Sequence, residues 1–242
     1  GHKVVVAGIK DHFSHQLPKG CLSVDEFGLG ALEKTVNFFS GHGATRIFLA
    51  GGVDRKKAWR SLSPDYHALS LIPRALLSGD DSFLKVVAKK IEELGPTVCD
   101  PLPYIRETLA KKGLMAGPSP DEELMTDVFE AGKAAKRLGS KDLGQAALVL
   151  MGEVVGLEGR DGTDTLIASV PKPGAALTKV SKPGQDLRFD IPTIGPSTAH
   201  NAHKVGIKAI GAEVDKVLLL ERDLLMEICD EKEISLLGVH LE

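Results

Sequence analysis

Short apolar runs alternate with stretches of helical periodicity through the first part of the chain. Val4 to Ile9 is continuously apolar and rich in β-branched residues, the pattern of a buried parallel strand. Leu29, Leu32, Val36 and Phe39 then recur at helical spacing until Gly41-His42-Gly43 breaks the pattern. Arg46 to Ala50 predicts a second strand ending in Gly51-Gly52. A helix is expected from about Ser70, and another from Asp81 to Leu94, which repeats Leu84, Val87, Ala88 and Ile91. Thr97 to Cys99 predicts a short third strand. Strands alternating with helices point to an α/β, Rossmann-like domain with a parallel sheet, although it carries no dinucleotide or Walker fingerprint.

Gly117-Pro118-Ser119-Pro120 marks a boundary and a hinge, dividing a Rossmann-like domain over 1–116 from a second α/β domain over 117–242. Ser119 followed by Glu122, with Pro120 at the first helical position, reads as a capping box. Leu124, Val128, Ala131, Ala135 and Leu138 then form one apolar helix face, closed by Gly139. Ala147 to Met151 and Val154 to Leu157 predict two strands around Gly152, and Leu177 to Val180 a third. Ser197 is positioned to cap a helix that Gly206 ends. The remaining chain reads as strand, turn, strand, helix and a last strand over Leu236 to Val239.

Composition narrows the classes. With 242 residues, 43% hydrophobic and 26% charged, the balance is that of a soluble globular protein of one or two domains. A formal net charge of −3 argues against a general nucleic-acid binder. No apolar run approaches the length of a bilayer span. Cys21, Cys99 and Cys229 are widely spaced and lack metal-ligand spacing, so they read as buried thiols of a reducing cytoplasm. Gly1-His2 in place of an initiator Met reads as a truncated start.

The densest chemistry lies between Lys182 and Pro196, where Lys182, Gln185, Asp186, Arg188, Asp190 and Thr193 stand among turn-forming prolines and glycines. Arg188 offers phosphate oxygens a planar fork, and Lys182 a point charge. Asp186 and Asp190 suit a divalent cation or a water that must lose a proton. The prolines lower the entropy cost of holding these groups. An exposed, charged connector is the plainer alternative.

Three further loops are candidates. Asp161-Gly-Thr-Asp164 precedes a helix, so Gly162 and Thr163 amides suit an anion while Asp161 and Asp164 suit a cation; an acidic helix cap is the equal alternative. Gly51-Gly-Val-Asp-Arg55 follows a strand's carboxyl end, where α/β sheets bind ligands, or else forms a tight turn with exposed charges. Asp25-Glu-Phe-Gly28 holds a similar place ahead of the helix beginning near Leu29, with helix capping as the alternative. His200 and His203 lie three apart on a predicted helix, where a solvated face outweighs a metal pair.

Asp161-Gly-Thr-Asp-Thr-Leu166, Lys179 through Pro196, and Gly206 to Glu213 resemble the UDP-2,3-diacylglucosamine pyrophosphatase family of lipid A biosynthesis, the one distinct from the calcineurin-like enzyme. Asp25-Glu-Phe-Gly28, Phe48-Leu-Ala-Gly-Gly-Val-Asp-Arg55, Ser78-Gly-Asp-Asp81 and Asp142-Leu-Gly-Gln145 fit the same pattern in order. The resemblance implies a Rossmann-like domain, a C-terminal domain of its own type carrying the catalysis, and a lipid site between them. It implies Mg²⁺-dependent hydrolysis of UDP-2,3-diacylglucosamine to UMP and 2,3-diacylglucosamine 1-phosphate (lipid X), with water attacking the sugar-side phosphorus. The family's essential acidic residue matches Asp190. The family usually opens with a strand and a Gly-Gly-Gly loop that this sequence does not show, which would remove a phosphate cradle.

Hydrolysis of a pyrophosphate needs cations around the phosphates and an activated, positioned water. Arg188 and Lys182 can supply charge, and Asp190 can bind Mg²⁺, deprotonate water or do both. Asp186, Asp161 and Asp164 are supporting ligand candidates. Gln185, Thr193 and Gln145 are candidates for contacting the substrate alongside the glycine loops. A diacylated substrate also implies work at the cytoplasmic face of the inner membrane, and a homodimer is compatible with all of this. The competing class is a non-catalytic sugar-nucleotide or lipid binder. Such a binder gains little from carboxylates beside its phosphates.

Overall fold

The computed structural model describes residues 2–13, 20–51, 65–69 and 80–241. The expected helix from Ser70, the Gly52 to Arg55 part of the glycine loop, and Ser78-Gly79 lie outside the described residues. The chain divides into two units: Gly1–Pro101 together with Arg188–Asp190, and Leu102–Leu187 together with Ile191–Glu242.

In the first unit, β1 (Val4–Ile9) pairs in parallel with β2 (Cys21–Phe27). The pattern places Asp25-Glu-Phe-Gly28 in a loop, but Asp25, Glu26 and Phe27 end β2. Every residue of β2 is half-buried or exposed, so it shows no apolar run to betray it. Helix α1 (Leu32–Gly41) buries Val36 and starts later than the pattern suggests, because Gly30 turns the chain at φ 91°. Asp65 caps it from a distance, its carboxylate accepting the Glu33 N–H at 2.6 Å. β3 (Arg46–Ile47) follows, then α2 (Tyr66–Leu69), α3 (Asp80–Glu93) and β4 (Thr97–Val98), which pairs in parallel with β3. Val36, Ile47, Ala88, Ile91, Val98 and Phe189 form this unit's buried cluster. The α/β character and parallel pairing are thus present; among the described residues the strands make two separate pairs.

The second unit opens with α4 (Leu102–Ile105) and β5 (Gly113–Ala116). Gly117-Pro118 is no free hinge: the Gly117 N–H donates to Asp230 and the Ser235 hydroxyl to the Pro118 carbonyl at 2.7 Å. The long helix α5 (Glu122–Gly139) begins at Asp121 rather than Ser119, since the Asp121 carboxylate accepts the Leu124 N–H at 2.8 Å. A carboxylate there also meets the positive end of the helix dipole.

β6 (Ala146–Leu150) and β7 (Glu153–Leu157) form a hairpin with Met151 and Gly152 at positive φ, 53° and 79°. Two such residues match the twist of a two-residue turn. Next come α6 (Gly162–Ala168), β8 (Ala176–Lys179), β9 (Thr193–Ile194), α7 (Pro196–Val205), β10 (Ala209–Glu213), β11 (Leu218–Leu219), α8 (Arg222–Glu231) and β12 (Ser235–Val239). Helix α7 starts at Pro196 with Gly195 as its cap, so Ser197 sits inside the first turn; Gly206 ends it at φ 79°.

The six-stranded sheet runs β5-β12-β10-β8-β6-β7. Strands β8, β10 and β12 are parallel; β5 and the β6–β7 hairpin run antiparallel to their neighbours at the two edges. Alternation assigns the faces. Leu177, Ile210, Ala212 and Leu236 pack with Leu166 and Ile167 of α6, Ala199 and Ala202 of α7, and Leu225 and Ile228 of α8. Ala176, Ala209, Leu237 and Val239 pack with Val128 of α5. Gly211 faces α5, where a Cβ would meet Thr178 Oγ1 at 2.5 Å and Val128 at 2.8 Å, so only glycine allows this close approach. Of the cysteines only Cys229 is buried; Cys21 and Cys99 are half-buried.

Candidate active site

The polar loop leaves the sheet after β8 and rejoins secondary structure at β9. Period-2 alternation sends successive residues to opposite faces, and this decides what meets each root of the loop. Glu213, at the end of β10, is 3% exposed on the α5 side. Its Oε1 receives Lys136 Nζ of α5 at 2.7 Å and Lys216 Nζ at 2.8 Å, and its Oε2 accepts the Ser181 N–H at 2.8 Å. Lys136 also donates to the Ser181 carbonyl at 2.9 Å. Two lysines and a backbone amide therefore satisfy one buried carboxylate, as burial demands.

Lys179, the last residue of β8, meets the α6 side. Its ammonium donates to Thr163 Oγ1 and to the Thr193 carbonyl, both at 3.0 Å. Thr163 in turn donates its hydroxyl proton to Glu158, which is 7% exposed. The second oxygen of Glu158 accepts the Gln145 N–H at 2.7 Å. Three residues singled out by sequence, Gln145, Thr163 and Thr193, thus belong to one hydrogen-bonded chain, joined through Glu158 and Lys179.

Inside the loop, the Gln185 side-chain oxygen accepts the Lys182 N–H at 2.8 Å and the Ser181 hydroxyl at 3.2 Å, so it folds the loop's first turn. Lys182 pairs with Asp142 at 2.7 Å. This pair is partly exposed and therefore weak, so an incoming anion can compete for the ammonium. Asp186 is half-buried. The Thr193 hydroxyl donates to the Ile191 carbonyl at 2.9 Å.

The tip, Arg188–Asp190, groups with the first unit. Phe189 is buried in that unit's core, and the Arg188 guanidinium carbon lies 4.9 Å from its ring centroid. Asp190, the next residue, is exposed. Gly51 belongs to the same unit, is exposed, and turns the chain at φ 88°.

Other candidates lie at the start of α6 and on α7. Asp161 makes no side-chain cap bond and is exposed; Gly162 holds φ 82°; Asp164 accepts the Asn201 amide at 3.2 Å. Helix α6 is short, so its N-terminus offers little dipole to an anion. Among the described residues no three His, Cys, Asp or Glu side chains gather in a metal-holding group. His200 and His203 are both exposed, the solvated face expected of them.

Sequence reasoning missed the roles of Lys136, Glu158, Lys179 and Glu213. A usable signal existed for two of them. Lys179 and Glu213 are ionisable residues ending otherwise apolar strands, and a charge continuing a buried strand needs a partner. The partners themselves are far away in sequence.

The structure defines an α/β protein of two units in which a loop rooted in the second unit carries a guanidinium and a carboxylate at a tip that groups with the first. Residues 1–108 match the LpxI N-terminal domain and residues 111–237 the LpxI C-terminal domain. Over 228 residues the chain is 30% identical to the UDP-2,3-diacylglucosamine pyrophosphatase LpxI of Caulobacter vibrioides, an alignment covering 88% of this chain and 81% of that protein. The chain belongs to the LpxI family.

Proposed function

We propose that this protein hydrolyses the pyrophosphate bond of UDP-2,3-diacylglucosamine, giving UMP and 2,3-diacylglucosamine 1-phosphate in the lipid A pathway. The observation that carries this reading is the match to a pyrophosphatase of that name through both halves of the chain. The loop's chemistry suits it. A pyrophosphate repels an incoming nucleophile with its own negative charge. Arg188 presents a planar, permanently charged fork that neutralises phosphate oxygens as charge builds on them. Asp190 is an exposed carboxylate beside a buried anchor, suited to orient an attacking water and take its proton. Lys182 adds a second cation when the phosphates draw it from Asp142.

Mg²⁺ is a fitting partner of a particular kind. It binds through one or two carboxylates plus substrate phosphates and keeps several waters, so it needs no protein cage. Asp190 is the residue we assign to hold it, with Asp186 beside it in the loop. When bound, the ion supplies Lewis-acid neutralisation of the phosphate oxygens. No helix among the described residues is long and apolar enough to cross a membrane. We infer that the diacylated substrate is met at the membrane surface on the cytoplasmic side.

The test is direct. Incubated with UDP-2,3-diacylglucosamine and Mg²⁺, the protein is expected to release UMP, and Asp190→Asn to abolish release while keeping the fold. Tight binding of the substrate with no UMP formed would make the protein a binder instead. Near-native turnover by Asp190→Asn would remove that residue from the chemistry.

A further inference from the structure

We infer that Lys136 and Lys179 are positioning residues that clamp the two roots of the active-site loop from opposite faces of the six-stranded sheet. Each lysine donates to one root carbonyl: Lys136 to Ser181 at 2.9 Å, Lys179 to Thr193 at 3.0 Å. Each is backed by a buried carboxylate. Glu213 takes Lys136 directly at 2.7 Å and also holds the Ser181 N–H. Glu158 acts one step removed, receiving the Thr163 hydroxyl that itself accepts from Lys179. The strand register makes the two-sided arrangement unavoidable. Glu213 lies one residue past Ala212, which faces α6–α8, and Lys179 lies two past Leu177, which shares that face with Ala212. The carboxylate and the second ammonium therefore point to opposite sides.

Backbone bonds reinforce the same two points. The Val180 N–H donates to the Gln145 carbonyl and the Leu218 N–H to the Pro192 carbonyl, each at 2.8 Å. Between the roots, Lys182 to Ile191 contains no helix or strand. A segment without its own secondary structure keeps its geometry through its ends and anchors. The clamp thus fixes the endpoints, and Phe189 anchors the tip within the first unit's core. Lys136, Lys179, Glu158 and Glu213 act on the reaction through the loop. The inference rests on the proposed hydrolysis for its kinetic consequence, but not for its structural one.

Two variants test it. Lys136→Met removes the donor to Ser181, while Lys216, 2.8 Å from Glu213, keeps that carboxylate paired and the fold tolerable. Thr163→Val is nearly isosteric and cuts the relay between Glu158 and Lys179. In both, amide hydrogen exchange over residues 182–191 is expected to rise above wild type under native conditions. UMP release should lose kcat by about ten- to a hundredfold, as small displacements of reacting groups do, with KM moving far less. Lys136→Arg should recover part of the loss. Asp127→Asn, which removes a buried carboxylate away from the loop, should lower stability without raising exchange over 182–191. Wild-type exchange in both clamp variants would overturn the inference. So would a rise in Asp127→Asn equal to theirs, because the effect would then be general loosening. If wild type itself releases no UMP, the hydrolase reading fails, and the exchange experiment still decides the clamp.

Discussion

The guanidinium of Arg188 lies 4.9 Å from the centre of the Phe189 ring, and that ring is buried in the core of the first unit. One residue of the loop therefore packs in the core and stacks against the charge that precedes it. The ring does two jobs, filling apolar space and offering a π face to a cation.

Those jobs can be separated by substitution. Phe189→Leu keeps most of the buried volume and removes the face. A cation–π contact at a half-exposed site contributes about 0.5–1 kcal/mol, so kcat/KM should fall about two- to fivefold with little change in melting. Phe189→Ala also opens a cavity, for which about 3–5 kcal/mol of destabilisation is typical. Equal kinetics in Phe189→Leu and wild type, measured as UMP release, would leave the ring with packing alone. Arg188→Lys should cost more than Phe189→Leu, because it loses the bidentate fork as well as the stacking.

How much of this was readable in the sequence follows from the range of the interactions. The α5 stripe of Leu124, Val128, Ala131 and Ala135 was legible because helical period and burial agree within a single segment. β2 was not, because a strand half-exposed along its length has no apolar run. The loop's composition marked it as chemical, yet its clamps were hidden. Lys136 and Glu213 are 77 residues apart, and only the packing of α5 against β10 brings them together. Phe189 reads as one apolar residue in a polar loop, and nothing local says that it belongs to the core built from α1, α3, β3 and β4. Thr163 and Gln185 drew notice as polar residues in glycine-rich or turn-rich settings, and Gln145 through the family resemblance of Asp142-Leu-Gly-Gln145. The structure shows that the Thr163 and Gln185 side chains brace the loop and its roots, whereas Gln145 contributes through its backbone.

Asp127 offers a stability prediction independent of the chemistry. Only 3% exposed on α5, it accepts the Met151 N–H at 2.8 Å and the Gly152 N–H at 2.7 Å, bridging both central residues of the β6–β7 turn. Those bonds compensate for a methionine held at φ 53°, a conformation L-residues disfavour. Asp127→Asn turns one acceptor into a donor facing an N–H. Losing one charge-assisted bond should cost about 1.5–3 kcal/mol and lower the melting midpoint by several degrees. An unchanged melting curve would show that the turn holds itself.

Cys229 gives a pH dependence with a definite sign. Burial in the α8 core pushes its thiol up to about 12, and the neighbouring Asp230 adds to the shift. The folded state therefore holds the proton to higher pH than the unfolded state does. Its contribution to stability is complete below the ordinary thiol range and is lost as pH rises through that range towards about 12. At pH 8 a thiol reagent should modify half-buried Cys21 and Cys99 on the native protein and spare Cys229. Native labelling of Cys229 as fast as the other two would contradict the burial that sets its shift.

The proposed Mg²⁺ carries a prediction of its own. On that proposal Asp190 holds the ion and substrate phosphates and water complete its shell, so the free protein has no need of it. Chelation by EDTA should then stop UMP release without lowering the melting midpoint of the free protein. Millimolar Mg²⁺ alone should not raise that midpoint either, because a ligand stabilises only the state it binds. Substrate and Mg²⁺ together, presented to Asp190→Asn if turnover must be prevented, should give a smaller shift than to an inactive variant that keeps the carboxylate, such as Arg188→Ala. A large stabilisation by Mg²⁺ alone would point instead to a preformed protein site that uses residues other than this loop.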